Sequence, residues 1–113
     1  MIDDEATVLR ATSSLLRSCG FSVRTFASAE EFLASENEEA PACIISDVQM
    51  QGMSGLDLFS LLRARNNPVP FIFITAFAEA PVRARVGDEV CVLQKPYQAE
   101  ALIACIEKAL PSS

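Results

Sequence analysis

Apolar positions along the chain alternate between a helical and an extended period. From Glu5 to Cys19 they fall at Val8, Ala11, Leu15, Leu16 and Cys19, one helical stripe, and Gly20 follows as a C-terminal stop. Phe21–Phe26 (FSVRTF) is short, β-branched and aromatic and predicts a strand. Ser28-Ala29-Glu30-Glu31 has the form of a capping box, opening a helix with Phe32 and Leu33 on its buried side. Asn37–Pro41 is an acidic loop, and Ala42–Ser46 (ACIIS) is apolar without alternation, the pattern of a strand covered on both faces.

The second half repeats the scheme. Gln49–Gly55 reads as a loop, with Ser54 capping a helix from Gly55 to Arg65 that carries Leu58, Leu61 and Leu62. Asn66-Asn67-Pro68 breaks it. Phe71–Ile74 is a second continuous apolar strand, Pro81–Val86 a short helix ended by Gly87, and Val90–Leu93 a third buried strand. Ala99–Leu110 is the last helix, with Leu102, Ile106 and Ala109 on one stripe, and Pro111-Ser112-Ser113 is a tail or the start of a linker. Strands separated by single helices predict one α/β domain over residues 1–110, built on a parallel sheet with right-handed crossovers.

Composition narrows the function. A length of 113 residues suits one domain with an ordinary core, and half of the residues are hydrophobic. A net charge of −6 speaks against nucleic acid or an anionic membrane as partner of this segment. The absence of His removes Ser-His and Cys-His catalysis and most zinc sites. Cys19, Cys43, Cys91 and Cys105 form no C-x-x-C pair and lie in apolar runs, so buried free thiols in a reducing cytoplasm are expected. The start is acidic where a secretion signal is basic, and no apolar run approaches a membrane span.

Ligands of an open parallel sheet bind beyond the carboxyl ends of its strands. Asp3 and Asp4 follow Met1-Ile2, Asp47 follows Ala42–Ser46, Thr75 follows Phe71–Ile74, and Lys95 comes just after Val90–Leu93. Three carboxylates brought together repel unless a cation intervenes, and an all-oxygen set with few protein donors suits Mg²⁺ shared with a phosphate. Lys95 offers a point charge to a phosphoryl oxygen and Thr75 a hydroxyl donor to another, while one carboxylate can serve as the nucleophile of an aspartyl phosphate. A salt-bridged acidic rim without turnover is the plain alternative at this level.

The run I-D-D-E, then I-I-S-D-V-Q-M-x-G-M-S-G-L, F-I-T-A and L-Q-K-P-Y resembles the CheY-like receiver domain of bacterial two-component response regulators, over nearly the whole chain. Gly20-Phe21, Ser28–Leu33 (SAEEFL) and Met53–Leu56 (MSGL) are most similar to FixJ-type receivers. The resemblance implies a three-layer flavodoxin-like fold with a five-stranded parallel sheet in the order 2-1-3-4-5. It implies Asp47 as phosphoacceptor, Asp4 and Asp47 as direct Mg²⁺ ligands, Asp3 acting mainly through water, and the Gln49 backbone carbonyl as a further ligand. Thr75 and Lys95 become the switch hydroxyl and the phosphate-binding lysine, with a cis bond at Lys95-Pro96. A sensor histidine kinase supplies the phosphoryl group; the domain promotes its own phosphorylation and dephosphorylation and is otherwise no enzyme.

FixJ-type regulators carry a C-terminal helix-turn-helix, so DNA binding belongs to a piece after Pro111, and the face of the fourth and fifth helices is open to a homodimer. The sequence also departs from the family. Only Met1-Ile2 precede the acidic pair, where a strand of about five residues is usual. Gln51 replaces a Pro, Val92 stands where a switching aromatic is common, and the fourth helix is stunted. Gln49 and Phe77 fall where the family tunes the lifetime of the phosphate. These departures keep a degenerate receiver, acting as a phosphorylation-independent interaction module, as the alternative.

Overall fold

The computed structural model describes residues 1–35, 42–50, 52–76, 79–87 and 90–110. The expectations for the acidic loop, Gln51, Phe77 and the tail fall wholly or largely outside these residues. The elements are α1 (Ala6–Ser18), α2 (Ala29–Ala34), β1 (Ile44–Asp47), α3 (Gly55–Ala64), β2 (Phe71–Thr75), α4 (Glu79–Val86), β3 (Cys91–Gln94) and α5 (Ala99–Ala109).

The strands pair in parallel in the order β1-β2-β3, with Asp47 opposite Ile74 and Thr75 opposite Gln94. Ile2 makes single parallel bridges to Phe26 on one side and Ser46 on the other. The spatial order is therefore Phe26, Ile2, β1, β2, β3, the expected 2-1-3-4-5 with its first two strands reduced to a bridge each. The strand expected over 21–26 is corrected on this point. Within 21–26 only Phe26 bridges to Ile2, and the backbone bonds to residues 1–3 are Met1 N to Arg24 O (2.7 Å), Phe26 N to Met1 O (2.9 Å) and Asp3 N to Phe26 O (3.1 Å).

Alternation along the strands sorts the core into two layers. Ile44, Phe71, Phe73 and Val92 face Leu58 and Leu62 of α3 and Val82 of α4, while Ile45, Ile72 and Ile74 face Leu16 of α1 and Leu102 and Ile106 of α5. β1 and β2, continuous apolar runs, are buried on both sides as expected, whereas the third buried strand expected over Val90–Leu93 is corrected: β3 is the edge of the sheet, with Val92 buried and Cys91 and Leu93 half-buried. Phe59 packs edge-on against Phe71 and Phe73, with ring centroids 5.2 and 5.7 Å apart.

Capping follows the sequence. The Ser28 hydroxyl accepts from Glu31 N (3.0 Å), and Ser54 and Asp57 cap α3 reciprocally at 3.1 and 3.3 Å. Gly20 and Gly87, at φ 95° and 89°, take the left-handed turn that ends α1 and α4. The face of α1 is corrected. Leu9, Ser13 and Leu16 are buried, whereas Ala11, Leu15 and Cys19 are exposed. A serine lies in the buried stripe, with its hydroxyl donating to Arg10 O (3.2 Å), so counting apolar residues alone places the stripe one side too far round. In α2 the fully buried residue is Ala29, with Phe32 and Leu33 half-buried.

Candidate functional site

The carboxyl edge of the sheet gathers the chemistry because each strand ends there. Asp47 is the last residue of β1 and Thr75 the last of β2, both buried, and Lys95 follows β3 directly. Lys95 N donates to Thr75 O (2.7 Å), which fixes the stem of the lysine against β2, and the Lys95-Pro96 peptide is cis, as the resemblance implied.

The Asp47 carboxylate is held at both oxygens. Oδ1 accepts from Gln49 N (3.0 Å) and Oδ2 accepts from Lys95 Nζ (2.9 Å). Asp3 stands beside it, 1% exposed, its Oδ1 accepting from Glu5 N (2.9 Å). Asp3 Oδ2 is buried with no hydrogen-bond partner among the described residues, and the nearest cation, Lys95 Nζ, lies 3.9 Å away. A buried anionic oxygen left in that state is costly. Burial pushes the Asp3 carboxyl up to about 6, and the Asp47 and Glu5 charges add to this while the Glu5 amide and Lys95 hold it back. For Lys95, burial works against the charged form, but the Asp47 hydrogen bond and the charges of Asp47, Asp3 and Glu5 outweigh it and raise the ammonium above the usual lysine value.

Four of the groups thus meet at one point, and one of them was not singled out from sequence. Oxygens of Asp3, Glu5 and Asp47 lie within 4.8 Å of one another, and Glu5 Oε1 is 3.8 Å from Lys95 Nζ. The third acid of the I-D-D-E run was the available signal for Glu5, masked by its place just before α1, where an acid also reads as a helix-start residue. Asp4 is exposed and outside that trio; it lines an open depression of about 520 Å³ with Val48, Gln49, Met50, Ser54 and Leu56. The Gln49 side chain turns inward, its Oε1 accepting from the Thr75 hydroxyl at 3.3 Å. Val92 is buried among the α3/α4 layer, and Tyr97 packs on the opposite, α1/α5 layer.

The structure brings Asp3, Asp47, Thr75 and Lys95 to one edge of the sheet, with Glu5 in place of the expected Asp4 in the acidic group. Comparison with known proteins gives the family. The family model described as response regulator receiver domain matches residues 1–107. The response regulator protein TodT of Pseudomonas putida is 41% identical over 112 residues, covering 97% of this chain and 49% of TodT. The transcriptional regulatory protein FixJ of Bradyrhizobium diazoefficiens is 34% identical, covering 97% of this chain and 55% of FixJ. The crystal structure of FixJ-N superposes with a TM-score of 0.85 at 28% identity, covering 99% of this chain and 94% of that one. The chain spans about half the length of these two curated relatives. Among the described residues no helix is long and apolar enough to cross a membrane. The chain belongs to the response regulator receiver domains of two-component systems.

Proposed function

We propose that this receiver accepts a phosphoryl group on Asp47 from the phosphohistidine of a sensor histidine kinase, with Mg²⁺, and relays its state to an output domain beyond Pro111. The observation that carries this reading is the pairing of Asp47 with Lys95 at 2.9 Å beside the buried Asp3 Oδ2, which has no hydrogen-bond partner among the described residues.

An Asp47 oxygen attacks phosphorus in line as the phosphorus–nitrogen bond to the donor imidazole breaks. The imidazole leaves with the bonding pair and takes up a proton. Lys95 pairs with a phosphoryl oxygen in place of Asp47 Oδ2, and the Thr75 hydroxyl exchanges Gln49 Oε1 for another. Bound Mg²⁺ would neutralise the carboxylate and phosphoryl charge. The donor set fits that ion: Asp3, Asp4, Asp47 and the Gln49 backbone carbonyl are all hard oxygen ligands, and Asp3 Oδ2 is an acceptor that Lys95 alone does not satisfy. Glu5, grouped with Asp3 and Asp47, joins them as a candidate.

Phosphorylation raises the charge at Asp47 from one negative unit to roughly two and draws Thr75 and Lys95 inward. Both lie next to α4 and α5 in the chain, so the proposed readout is a population shift of that face, through a homodimer or a contact with the output domain. FixJ is named as a transcriptional regulator, and the proposed output here is transcriptional too, with DNA bound by a domain other than this acidic segment. Residues 1–110 form the receiver in this reading, 111–113 begin a linker, and the protein works in the cytoplasm.

Intact mass after incubation with Mg²⁺ and acetyl phosphate tests the chemistry. The expected result is one added phosphoryl group, lost in Asp47→Asn and in EDTA. A folded protein that gains no adduct would refute it and leave a phosphate-independent interaction module.

A further inference from the structure

The N-terminal cap of α2 uses one of its two glutamates. Glu31 N donates to the Ser28 hydroxyl at 3.0 Å, and Glu31 Oε2 accepts at 3.3 Å from Ala27 N, one residue before the cap, so the reciprocal bond of a full capping box is not made. Glu30 takes no part in that cap; instead its carboxylate reaches across to the segment that follows Asp47. Glu30 Oε1 accepts from Met53 N at 3.3 Å, a contact between residues 23 apart in the chain. Glu30 Oε2 occupies the space beside Gly52. A Cβ built on Gly52 would meet it at 2.5 Å, and the Gly52 φ of 77° is one that side chains other than glycine rarely adopt. The carboxylate is therefore seated against the turn, with one oxygen on an amide and the other filling the gap that the glycine leaves.

Among the described residues the turn is also held by Met50 and Met53, which pack against the core, by Ser54 N donating to Asp57 Oδ2 at 3.3 Å, and at its base. Gly55 N donates to Val48 O at 3.2 Å, and Gln49 N donates to Asp47 Oδ1 at 3.0 Å. The tip at Gly52-Met53 is held by Glu30. The same turn carries the Gln49 carbonyl and borders the depression shared by Asp4, Gln49 and Met50.

We propose that Glu30 is a positioning residue for the metal site: by gripping Gly52-Met53 it holds the Gln49 carbonyl ready for Mg²⁺, and so sets the affinity of the site from a helix that contributes no ligand. This rests on the Mg²⁺ reading given above. Releasing the tip lets the turn sample other conformations, and apparent affinity falls by the fraction of time the competent one is lost. One solvent-exposed hydrogen bond to a charged acceptor corresponds to a weakening of about three- to tenfold.

The test is calorimetric Mg²⁺ titration of the 113-residue chain, comparing Glu30→Ala and Glu30→Gln with the unmodified protein and following thermal unfolding of each. Glutamine keeps an acceptor for Met53 N and removes the charge. The expected result is weakened binding in Glu30→Ala, binding near the unmodified level in Glu30→Gln, and closely similar unfolding midpoints. Equal weakening in both variants would mean that Glu30 acts only through its charge, and overturns the positioning role. Unchanged binding in both overturns it as well. If the unmodified chain takes up no Mg²⁺, the metal reading itself fails and the proposal falls with it, a result distinct from the other two.

Discussion

Lys95 Nζ donates to Asp47 Oδ2 at 2.9 Å, joining residues 48 positions apart across the carboxyl edge of the sheet. The strand between them accounts for the meeting. β2 separates β1 from β3, and the Lys95 N to Thr75 O bond of 2.7 Å brings the lysine back over the end of β2. Among the described residues the lysine faces three carboxylates, Asp3, Glu5 and Asp47, at 3.9, 3.8 and 2.9 Å. It therefore both holds the acidic cluster together and competes with any divalent cation for it.

Removing that competitor has a predictable sign. Lys95→Met should tighten Mg²⁺ binding by about threefold to tenfold, because a partly exposed charge is taken from beside the ligands. The same variant should slow phosphorylation by acetyl phosphate, since no ammonium remains to meet the phosphoryl oxygens. Calorimetry and intact mass read the two effects separately; weaker Mg²⁺ binding would show that Lys95 organises the carboxylates more than it repels the ion.

Asp3 gives a pH dependence. Its carboxyl is raised to about 6 by burial, against an ordinary value of 3.8, so the folded chain binds this proton more tightly than the unfolded one. A raised acid contributes stability that is full at low pH and is lost as pH rises from about 4 to about 6. In metal-free buffer the Asp3 contribution should decline across that window by up to about 3 kcal/mol. Asp3→Asn should flatten the decline and be the more stable protein at pH 7. Mg²⁺ binding should in turn strengthen as pH rises through 6. Denaturant titrations from pH 4 to 7.5 with and without Mg²⁺ check each part, and a stability that instead rises by as much in Asp3→Asn as in the unmodified chain would contradict the assignment.

The four cysteines are all free, as the sequence suggested, but they are not equally covered. Cys19 is exposed at the end of α1, while Cys43, Cys91 and Cys105 are half-buried. Burial pushes the Cys43 thiol to about 11, and burial with a hydrogen bond to Cys91 pushes Cys105 to about 12. Since the thiolate is the nucleophile, iodoacetamide at pH 7.5 should label Cys19 first, with Cys43 and Cys105 slower by at least about tenfold. Peptide mass mapping over time reads this directly, and early labelling of Cys105 would show that α5 opens readily from β3.

Asp47, Thr75 and Lys95 were legible because a parallel sheet delivers its ligands to one edge and an apolar run announces each strand end. The spatial order was legible through the resemblance. Glu5 was harder, since an acid just before a helix has a local explanation and nothing in spacing says it will turn toward Lys95. The grip of Glu30 on Gly52-Met53 is a contact over 23 positions, invisible to any local pattern. The misplaced face of α1 has the opposite cause: Ser13 is buried because its hydroxyl bonds to its own helix, and hydropathy alone sends it outside.

Gly55 ties the core to the site most directly. As the first residue of α3 it packs against the end of β1, where an added Cβ would collide with the Asp47 carbonyl oxygen and lie 2.8 Å from Ser46 Oγ. Neither neighbour can yield easily. The Ser46 hydroxyl donates to that same Asp47 carbonyl at 3.0 Å, Asp47 N donates to Ile2 O at 3.0 Å, and both residues are buried. Gly55→Ala should therefore cost about 1–3 kcal/mol, the range for overpacking a tight interior, despite alanine's better helix propensity. Because the relief must come from shifting α3 or the end of β1, the variant should also lose phosphorylation at Asp47 under conditions where it remains folded. Denaturant unfolding combined with intact mass after acetyl phosphate treatment distinguishes the two effects. Unchanged stability would show that α3 slides along the sheet edge without cost, and a stability loss with phosphorylation intact would show that Asp47 keeps its geometry while the helix alone gives way.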